Sequence, residues 1–407
     1  MAAEIDATTA YRLGAELVEE SLPQPGVHAL GIRPDVATDV SLLYAETCAG
    51  WNLAWTQRPA AVVRAASEND VTHAVRYAAA QGLSALVLGA RGGMEERLSA
   101  EAGVGFVGVS AGKWVRGRPS PAQALRAAVG VLEAVRALRR LRPCVVVGFG
   151  GFASFPGAAA AVRLGLPLAL HEGNAYPSAV NRWLAGRARL VVAAQPEALA
   201  HLRGVRRSLV VPFPVREEGM GREAARAALG LPGDAVVTLV MGGSQGSATL
   251  NREAPAAYRR LGPRAPDGRE HHVVHAAGRG RAAEVDAADL PGYHVHEFVD
   301  AAAAWSAADL ALTRAGVGTL SEAAYHGVPL VMVPLPSAAE DHQLHNARAV
   351  AAAGAGVVVE EREVSGLEGA WRSLLEPAAR EAAAAAAARR TPAGAARRIL
   401  CAVMELA

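Results

Sequence analysis

Three short segments in the second half of the chain combine small residues with polar groups that could bind a phosphorylated ligand. The first is GGSQG, residues 242–246, which directly follows an apolar run. Backbone N–H groups at such a turn can hold a diphosphate, and Ser244 can add a hydroxyl donor. A tight turn without a ligand is the alternative. The segment lacks both the Gly-Lys-Ser/Thr of a Walker loop and the GxGxxG of a dinucleotide site.

The second segment is RAGVGTLSE, residues 314–322, in which we expect Glu322 in the first turn of a helix. A carboxylate there can simply complement the helix dipole. It can also accept hydrogen bonds from both ribose hydroxyls of a nucleotide while the N–H groups of the turn face the phosphates. Two glycine-rich turns in one half of the chain favour the nucleotide.

The third segment is the polar cluster Asp341-His342-Gln343 with Asn346, which follows an apolar strand. In α/β proteins ligands bind where such loops leave the sheet, although a solvated helix start would look the same. The His-Asp pair predicts neither a metal site nor a catalytic triad, because no third ligand has suitable spacing and no GxSxG turn is present.

The first half of the chain has one comparable region. GFGGFASFPG, residues 148–157, is followed by a strand that ends in His171, Glu172 and Asn174. A carboxylate, an imidazole and an amide at a sheet edge could supply a general base and bind substrate. A strand-end loop with a buried structural histidine is the alternative.

The elements that must position these residues follow a βαβ pattern. About twelve short apolar runs alternate with helical stretches from residue 58 onward, too many for one compact sheet. We therefore predict an N-terminal extension (1–57, helical or irregular, with no clear strand) and two doubly wound parallel-sheet domains (58–218 and 219–407). The Ala-rich tail is predicted to be a terminal helix, assigned to the second domain.

Composition excludes several classes of protein. The chain has 407 residues, a net charge of +2 and three widely spaced cysteines, which favours a reducing cytoplasm over a disulfide scaffold. We expect no signal peptide and no membrane span, since the N-terminus is acidic and no apolar run is long enough. In the segment 114–143, leucines and valines recur at roughly helical spacing among arginines, from Leu125 to Leu141. Such a helix packs on a sheet, docks on anionic lipid, or does both.

Together and in this order, these motifs resemble the MurG family of N-acetylglucosaminyltransferases. The resemblance runs from about residue 85 to the C-terminus, about four-fifths of the chain. It is carried by ARGGMEERL, GFGGFASFPG, HExN, Pro-Val-Arg at 214–216, GGSQG, EFVD at 297–300, RAGVGTLSE and DHQxxNA. The family implies a GT-B fold, two Rossmann-like domains with a cleft between them.

The resemblance also implies chemistry. The donor would be UDP-GlcNAc and the acceptor lipid I, the undecaprenyl-diphosphate-linked MurNAc-pentapeptide. No cofactor, metal or nucleic acid would take part, and the protein would lie peripherally on the cytoplasmic face of an anionic membrane. Glu172 is our candidate base, with His171 structural. The family motifs place in the donor site Asn174, Arg216, Ser244, Val299, Val317, Gly318, Thr319, Leu320, Ser321, Glu322 and Gln343. Of these, Arg216 and Ser244 would contact the diphosphate, Glu322 the ribose, the backbone of Val299 the uracil, and Gln343 and Asn174 the sugar hydroxyls.

Two departures from the family pattern leave alternatives open. The family's first strand leads into a glycine-rich loop, whereas this chain has SEND at 67–70 within a segment, 51–83, that resembles the start of an FAD-binding domain of berberine-bridge-like oxidases. The chain is then a transferase with a replaced first βα unit, a fusion product that binds UDP-sugar with impaired turnover, or an FAD-linked oxidoreductase. In addition, Gly173, Pro212 and Phe213 stand where the family favours Gln, Gly and Asn.

Overall fold

The computed structural model describes residues 52–56, 84–101, 105–112, 120–215, 217, 219–243, 246–391 and 393–406. Segments 60–65 and 69–82, which have the sequence patterns of a strand and a helix and could replace the family's first βα unit, lie outside these residues.

The described strands of the first domain form one seven-stranded sheet in the order β3-β2-β1-β4-β5-β6-β7. The strands are β1 (Asn52–Thr56), β2 (Ser84–Ala90), β3 (Gly105–Val109), β4 (Val145–Gly148), β5 (Leu168–Glu172), β6 (Leu190–Ala193) and β7 (Ser208–Val210). The helices are α1 (Met94–Glu101), α2 (Pro121–Leu141), α3 (Phe155–Leu164) and α4 (Ala179–Leu184).

Strand β1 corrects the prediction for the N-terminal extension, which expected no strand before residue 58. Residues 52–56 pair with β2 on one side and β4 on the other, and both pairings are antiparallel. The sheet is therefore mixed rather than wholly parallel. The segment NLAWT has no β-branched run, and only its two partner strands supply the hydrogen bonds that make it a strand.

The second domain contains a wholly parallel six-stranded sheet in the order β10-β9-β8-β11-β12-β13 among the described residues. The strands are β8 (Val236–Met241), β9 (His271–Ala276), β10 (Tyr293–His296), β11 (Leu310–Thr313), β12 (Leu330–Met332) and β13 (Gly356–Val358). The helices are α5 (Arg222–Ala228), α6 (Ala248–Leu261), α7 (Ala301–Ala307), α8 (Val317–Tyr325), α9 (His342–Ala352), α10 (Leu367–Leu375), α11 (Pro377–Ala388) and α12 (Ala395–Met404).

Each sheet separates two apolar layers, as expected for a doubly wound fold. The terminal helix α12 is the exception to the predicted division. Its Ile399, Leu400 and Val403 pack against Val145 and Val147 of the first sheet, so this helix completes the core of the first domain. The helical pattern predicted the element but could not show which sheet it covers. Residues 58–218 and 219–407 otherwise remain our proposed division.

Helix α2 has clear start and stop signals. Ser120 caps its first turn by accepting a hydrogen bond from the Gln123 N–H, and Pro121 occupies the first position. The apolar residues at helical spacing along α2 fall into a buried group and an exposed group. Leu138 is buried against the sheet, whereas Leu125 and Leu132 are 66% and 57% exposed. Within the described part of the chain, no helix is long and apolar enough to cross a bilayer.

The burial of two histidines leads to a prediction of how the stability of the folded protein depends on pH. Burial lowers the pKa of His171 to about 3 and that of His275 to about 4, so both are neutral in the folded state near neutral pH. The unfolded chain binds these protons near pH 6.5. The free energy of unfolding should therefore be undiminished above pH 6.5 and fall by a few kcal/mol as the pH drops to about 4. Denaturant titrations across this range measure the effect.

The variant His171→Leu removes one of these groups and should make the acid-side loss shallower. Parallel pH curves for the two proteins would contradict the assignment to His171.

Candidate functional site

Four loops that carry predicted donor-site residues leave the same edge of the second sheet, after β8, β10, β11 and β12. Strands β8 and β11 lie side by side and in parallel, and the chain continues outward from them in opposite directions. Their carboxyl ends therefore flank the crevice at which α/β folds bind ligands. The glycine-rich turn follows β8, and helix α8 follows β11. The structure thus brings together the two turns that the sequence singled out.

Helix α8 begins at Val317, with Gly316 before it in an extended conformation. The N–H groups of its first turn have no acceptor within the helix and can face a phosphate. Residues 317–319 supply these groups, while Leu320 and Ser321 are buried. Glu322 is the sixth helical residue and lies in the second turn, which corrects the prediction of a first-turn carboxylate. Its Oε2 accepts a hydrogen bond from Trp305 Nε1 at 3.0 Å, which orients the side chain.

The glycines of residues 242–246 are required by close packing. Gly246 has φ +70, and a Cβ atom there would lie 2.0 Å from the carbonyl oxygen of Ala277. A Cβ atom at Gly242 would meet the Ser247 N–H nitrogen at 2.4 Å. Ser247 then caps α6 by accepting from the Leu250 N–H. The backbone turn is thus held against the end of β9. Ser244 and Arg216 lie outside the described residues, so their predicted roles stay predictions.

Val299 lies between β10 and α7 and is partly buried against the core of the second domain. The next residue, Asp300, caps α7 by accepting from the Ala303 N–H at 2.8 Å. The backbone at Val299 is therefore fixed between a strand and a capped helix. A fixed backbone suits the predicted contact of Val299 with uracil.

Gln343 lies in the first turn of α9 and joins two loops. Its Oε1 accepts from the N–H groups of Ala315 (3.2 Å) and Leu335 (3.0 Å), which follow β11 and β12. Its amide NH2 has no acceptor among the described residues and is the group left to donate to a ligand. This fits the predicted contact with a sugar hydroxyl.

The environment of Glu172 argues against the predicted role of general base. The side chain is 2% exposed, and its oxygens accept from Asn174 N (3.0 Å), Asn174 Nδ2 (3.1 Å), Ser178 N (2.9 Å) and Asn181 Nδ2 (2.9 Å). Burial raises the pKa of this carboxyl, and the four donors act in the opposite direction. In this structure Glu172 holds the loop 173–178 in place and presents no accessible lone pair to an acceptor hydroxyl.

Asn174 reaches across to the second domain. Its Oδ1 accepts from Asn346 Nδ2 at 3.0 Å, and Asn346 Oδ1 accepts from the Ala175 N–H at 2.8 Å. One N–H and one lone pair of the Asn174 amide remain for a sugar hydroxyl. Asn346 was noted in the polar cluster but not assigned to the site. Its DHQxxN spacing was the available signal, and the contact partner lies 172 residues away in sequence.

His171 is fully buried between Phe149 and Phe213, and neither ring nitrogen has a hydrogen-bond partner within the described residues. It packs in the core beneath the site, as predicted for a structural histidine. Phe213 also explains Gly173. A Cβ atom at Gly173 would lie 2.9 Å from the Phe213 ring and 3.3 Å from Val317. Gly173 and Phe213 both depart from the family pattern, and the two departures compensate sterically, because the missing Cβ atom at Gly173 leaves room for the Phe213 ring.

This packing makes a prediction. The variant Gly173→Gln should destabilise the protein by about 1–3 kcal/mol, because the new side chain overpacks the space filled by Phe213. The double variant Gly173→Gln/Phe213→Asn should recover part of that loss. Thermal unfolding of both variants measures the coupling, and additive losses would contradict the compensation.

The described residues contain no group of three or more His, Cys, Asp or Glu side chains arranged to hold a metal ion.

Comparison with known proteins shows which family this chain resembles. Residues 75–193 match the glycosyltransferase family 28 N-terminal domain, and residues 237–399 match the family's C-terminal domain. A UDP-N-acetylglucosamine--N-acetylmuramyl-(pentapeptide) pyrophosphoryl-undecaprenol N-acetylglucosamine transferase of Deinococcus deserti is 46% identical, covering 78% of this chain and 90% of the relative. The Thermus thermophilus protein of the same name is 40% identical with the same coverage.

Among solved structures, MurG of Acinetobacter baumannii superposes with a TM-score of 0.68 at 26% identity, covering 82% of this chain and 94% of that one. This likeness confirms the predicted GT-B fold. The chain therefore belongs to the MurG family of glycosyltransferases.

Proposed function

We propose that this chain transfers GlcNAc from UDP-GlcNAc to the C4 hydroxyl of lipid I and so forms lipid II in peptidoglycan synthesis. The observation that carries the proposal is the pairing of the α8 N-terminus and Glu322 with the glycine-rich turn at one crevice, in a chain 46% identical to a transferase named for this reaction. The crevice supplies groups suited to a diphosphate, a ribose and a sugar.

In the proposed donor complex, N–H groups of residues 317–319 and the turn at 242–246 face the diphosphate, with Arg216 and Ser244 as further donors. Glu322 accepts from the ribose hydroxyls, and the backbone at Val299 contacts the uracil. Gln343 and Asn174 contact the GlcNAc hydroxyls. Each assignment follows the family motifs.

The reaction would be an inverting displacement. The acceptor oxygen forms a bond to the anomeric carbon of GlcNAc while the bond from that carbon to the diphosphate oxygen breaks, and UDP leaves from the opposite face. Positive ends of helix dipoles and Arg216 stabilise the charge that develops on the leaving diphosphate. The acceptor hydroxyl must lose its proton to a base, which we leave unassigned because Glu172 is fully engaged.

Release of UDP from UDP-GlcNAc, measured with and without a lipid I analogue, tests the proposal. We expect release that depends on the acceptor. UDP binding without release would favour the second candidate, a UDP-sugar binder with impaired turnover, in which SEND at 67–70 replaces the family's glycine-rich loop. A yellow purified protein with a bound flavin would instead support the FAD-linked oxidoreductase.

We further propose that α2 docks the protein on the cytoplasmic face of an anionic membrane. Leu125, Val129 and Leu132 are exposed on this helix, and Arg136 and Arg139 lie exposed one to two turns further on. Apolar side chains beside arginines suit the boundary of a bilayer that contains acidic lipid. A lipid acceptor would require such contact.

The variant Leu125→Asp/Leu132→Asp should lose sedimentation with vesicles that contain anionic lipid, while its UDP affinity stays unchanged. The matched control Leu125→Ala/Leu132→Ala should lose less binding, because it removes apolar area without adding charge. Equal sedimentation of the Asp variant and the unmodified protein would contradict docking through α2.

A further inference from the structure

Three adjacent contacts join the two domains beside the proposed sugar site. We call them the interdomain bridge. One is an ion pair, one a stack of aromatic rings and one a pair of amides. The bridge consists of Asn174, Tyr176 and Arg182 from the first domain with Glu340, His345 and Asn346 from the second.

The ion pair has bidentate geometry. Arg182 Nη1 donates to Glu340 Oε2 at 3.0 Å, and Nη2 donates to Oε1 at 2.5 Å. The two side chains are only 28% and 25% exposed, so water screens the pair less than at an open surface. Arg182 is also held on its own side, because its Nη1 donates to the Pro177 carbonyl and its guanidinium lies 4.9 Å from the Tyr176 ring centroid.

The aromatic contact lies beside this ion pair. Tyr176 stacks on His345 with ring centroids 4.9 Å apart and an angle of 20° between the planes. The next residue, Asn346, makes the amide contact with Asn174. The bridge therefore fixes the loop after β5 against the start of α9.

The backbone that presents Glu340 connects the bridge to the site. Glu340 and Asp341 have φ values of 55 and 54, in the left-handed region that non-glycine residues seldom occupy. Strain of this kind persists only where surrounding contacts fix it. Gln343 lies three residues after Glu340, at the start of α9. A displaced Glu340 would therefore displace Gln343.

We propose that Arg182 and Glu340 are positioning residues that set the spacing between Asn174 and Gln343. This spacing determines how well the cleft binds the sugar of a nucleotide-sugar. It has little effect on binding of the nucleoside diphosphate part. This inference rests on the proposed function, since it takes UDP-GlcNAc as the ligand. All the proposed nucleotide contacts except that of Arg216 lie within the second domain, so UDP affinity should depend little on the bridge.

Calorimetric titration of the full chain with UDP and with UDP-GlcNAc tests the proposal. In Arg182→Ala and in Glu340→Ala, affinity for UDP-GlcNAc should fall about tenfold while affinity for UDP changes little. The double variant should lose no more than either single variant, because both remove the same contact. Arg348→Ala is the matched control. It breaks a second ion pair of α9, with Glu360, that stays inside the second domain.

Equal losses for both ligands, unchanged affinities, or the same losses in Arg348→Ala would overturn the inference. So would an unmodified protein that binds UDP-GlcNAc no more tightly than UDP. An unmodified protein that binds neither ligand would contradict the proposed function itself. In the transfer assay, a rise in KM for UDP-GlcNAc that exceeds the fall in kcat is expected from the two single variants.

Discussion

Replacing Glu322 by glutamine is expected to weaken UDP binding by about tenfold to a hundredfold. Hydrogen bonds that involve a charged group contribute about 1.5–3 kcal/mol, and the proposed carboxylate accepts from both ribose hydroxyls. Glutamine keeps the shape of the side chain and can still accept from Trp305 Nε1, which lies 3.0 Å from Glu322 Oε2. The loss should therefore report the charge rather than the packing. Calorimetric titration with UDP measures it.

Two comparisons sharpen this prediction. The unmodified protein should bind 2′-deoxy-UDP less tightly than UDP, and in Glu322→Gln this difference should shrink. The exposed Glu363 supplies a control, because Glu363→Gln removes a carboxylate of the same domain that pairs with its neighbour Arg362. Unchanged UDP affinity in Glu322→Gln would show that the ribose is held elsewhere.

The second large effect is expected from Gly246→Ala. A Cβ atom would lie 2.0 Å from the Ala277 carbonyl oxygen, a contact with backbone that no side-chain movement can relieve, and φ is +70. The turn must therefore move away from β9, and its N–H groups leave the diphosphate position. We expect UDP affinity to fall more than tenfold, since several charge-assisted hydrogen bonds change together. UDP titration and thermal unfolding measure the two consequences.

Gly243→Ala is the control for this prediction. Gly243 has φ +85, but nothing lies within 4 Å of its Cβ position, so the variant carries backbone strain without the clash. It should lose less UDP affinity than Gly246→Ala. Similar affinities for the two variants and the unmodified protein would mean that the turn does not hold the diphosphate.

Local sequence patterns were sufficient for most of the fold. Strands β8 and β11 are short apolar runs that end in glycine-rich turns, and parallel strands of this type are recognisable without tertiary information. Strand β1 was missed for the opposite reason. Its five residues become a strand only because β2 and β4 bind them on both sides. Which of the two sheets α12 packs against likewise depends on a contact between segments far apart in the chain.

The candidate site divides in the same way. The residue types at Ser244, Glu322 and Gln343 and their positions after strands followed from the sequence, because a glycine-rich turn or a helix start carries its chemistry locally. The function of Glu172 did not follow from the sequence. A carboxylate next to a histidine suggests a base, and only the folded loop shows four donors around it.

What the sequence alone determined is therefore the family, the two-sheet architecture and the identity of the segments that we propose to face the nucleotide. The tertiary structure decided which polar groups remain able to bind a ligand and which are used to hold the fold. It also decided that Asn174 meets Asn346 and that Arg182 meets Glu340. These partners lie more than 150 residues apart, and a contact across such a separation exists only once both domains have folded and met.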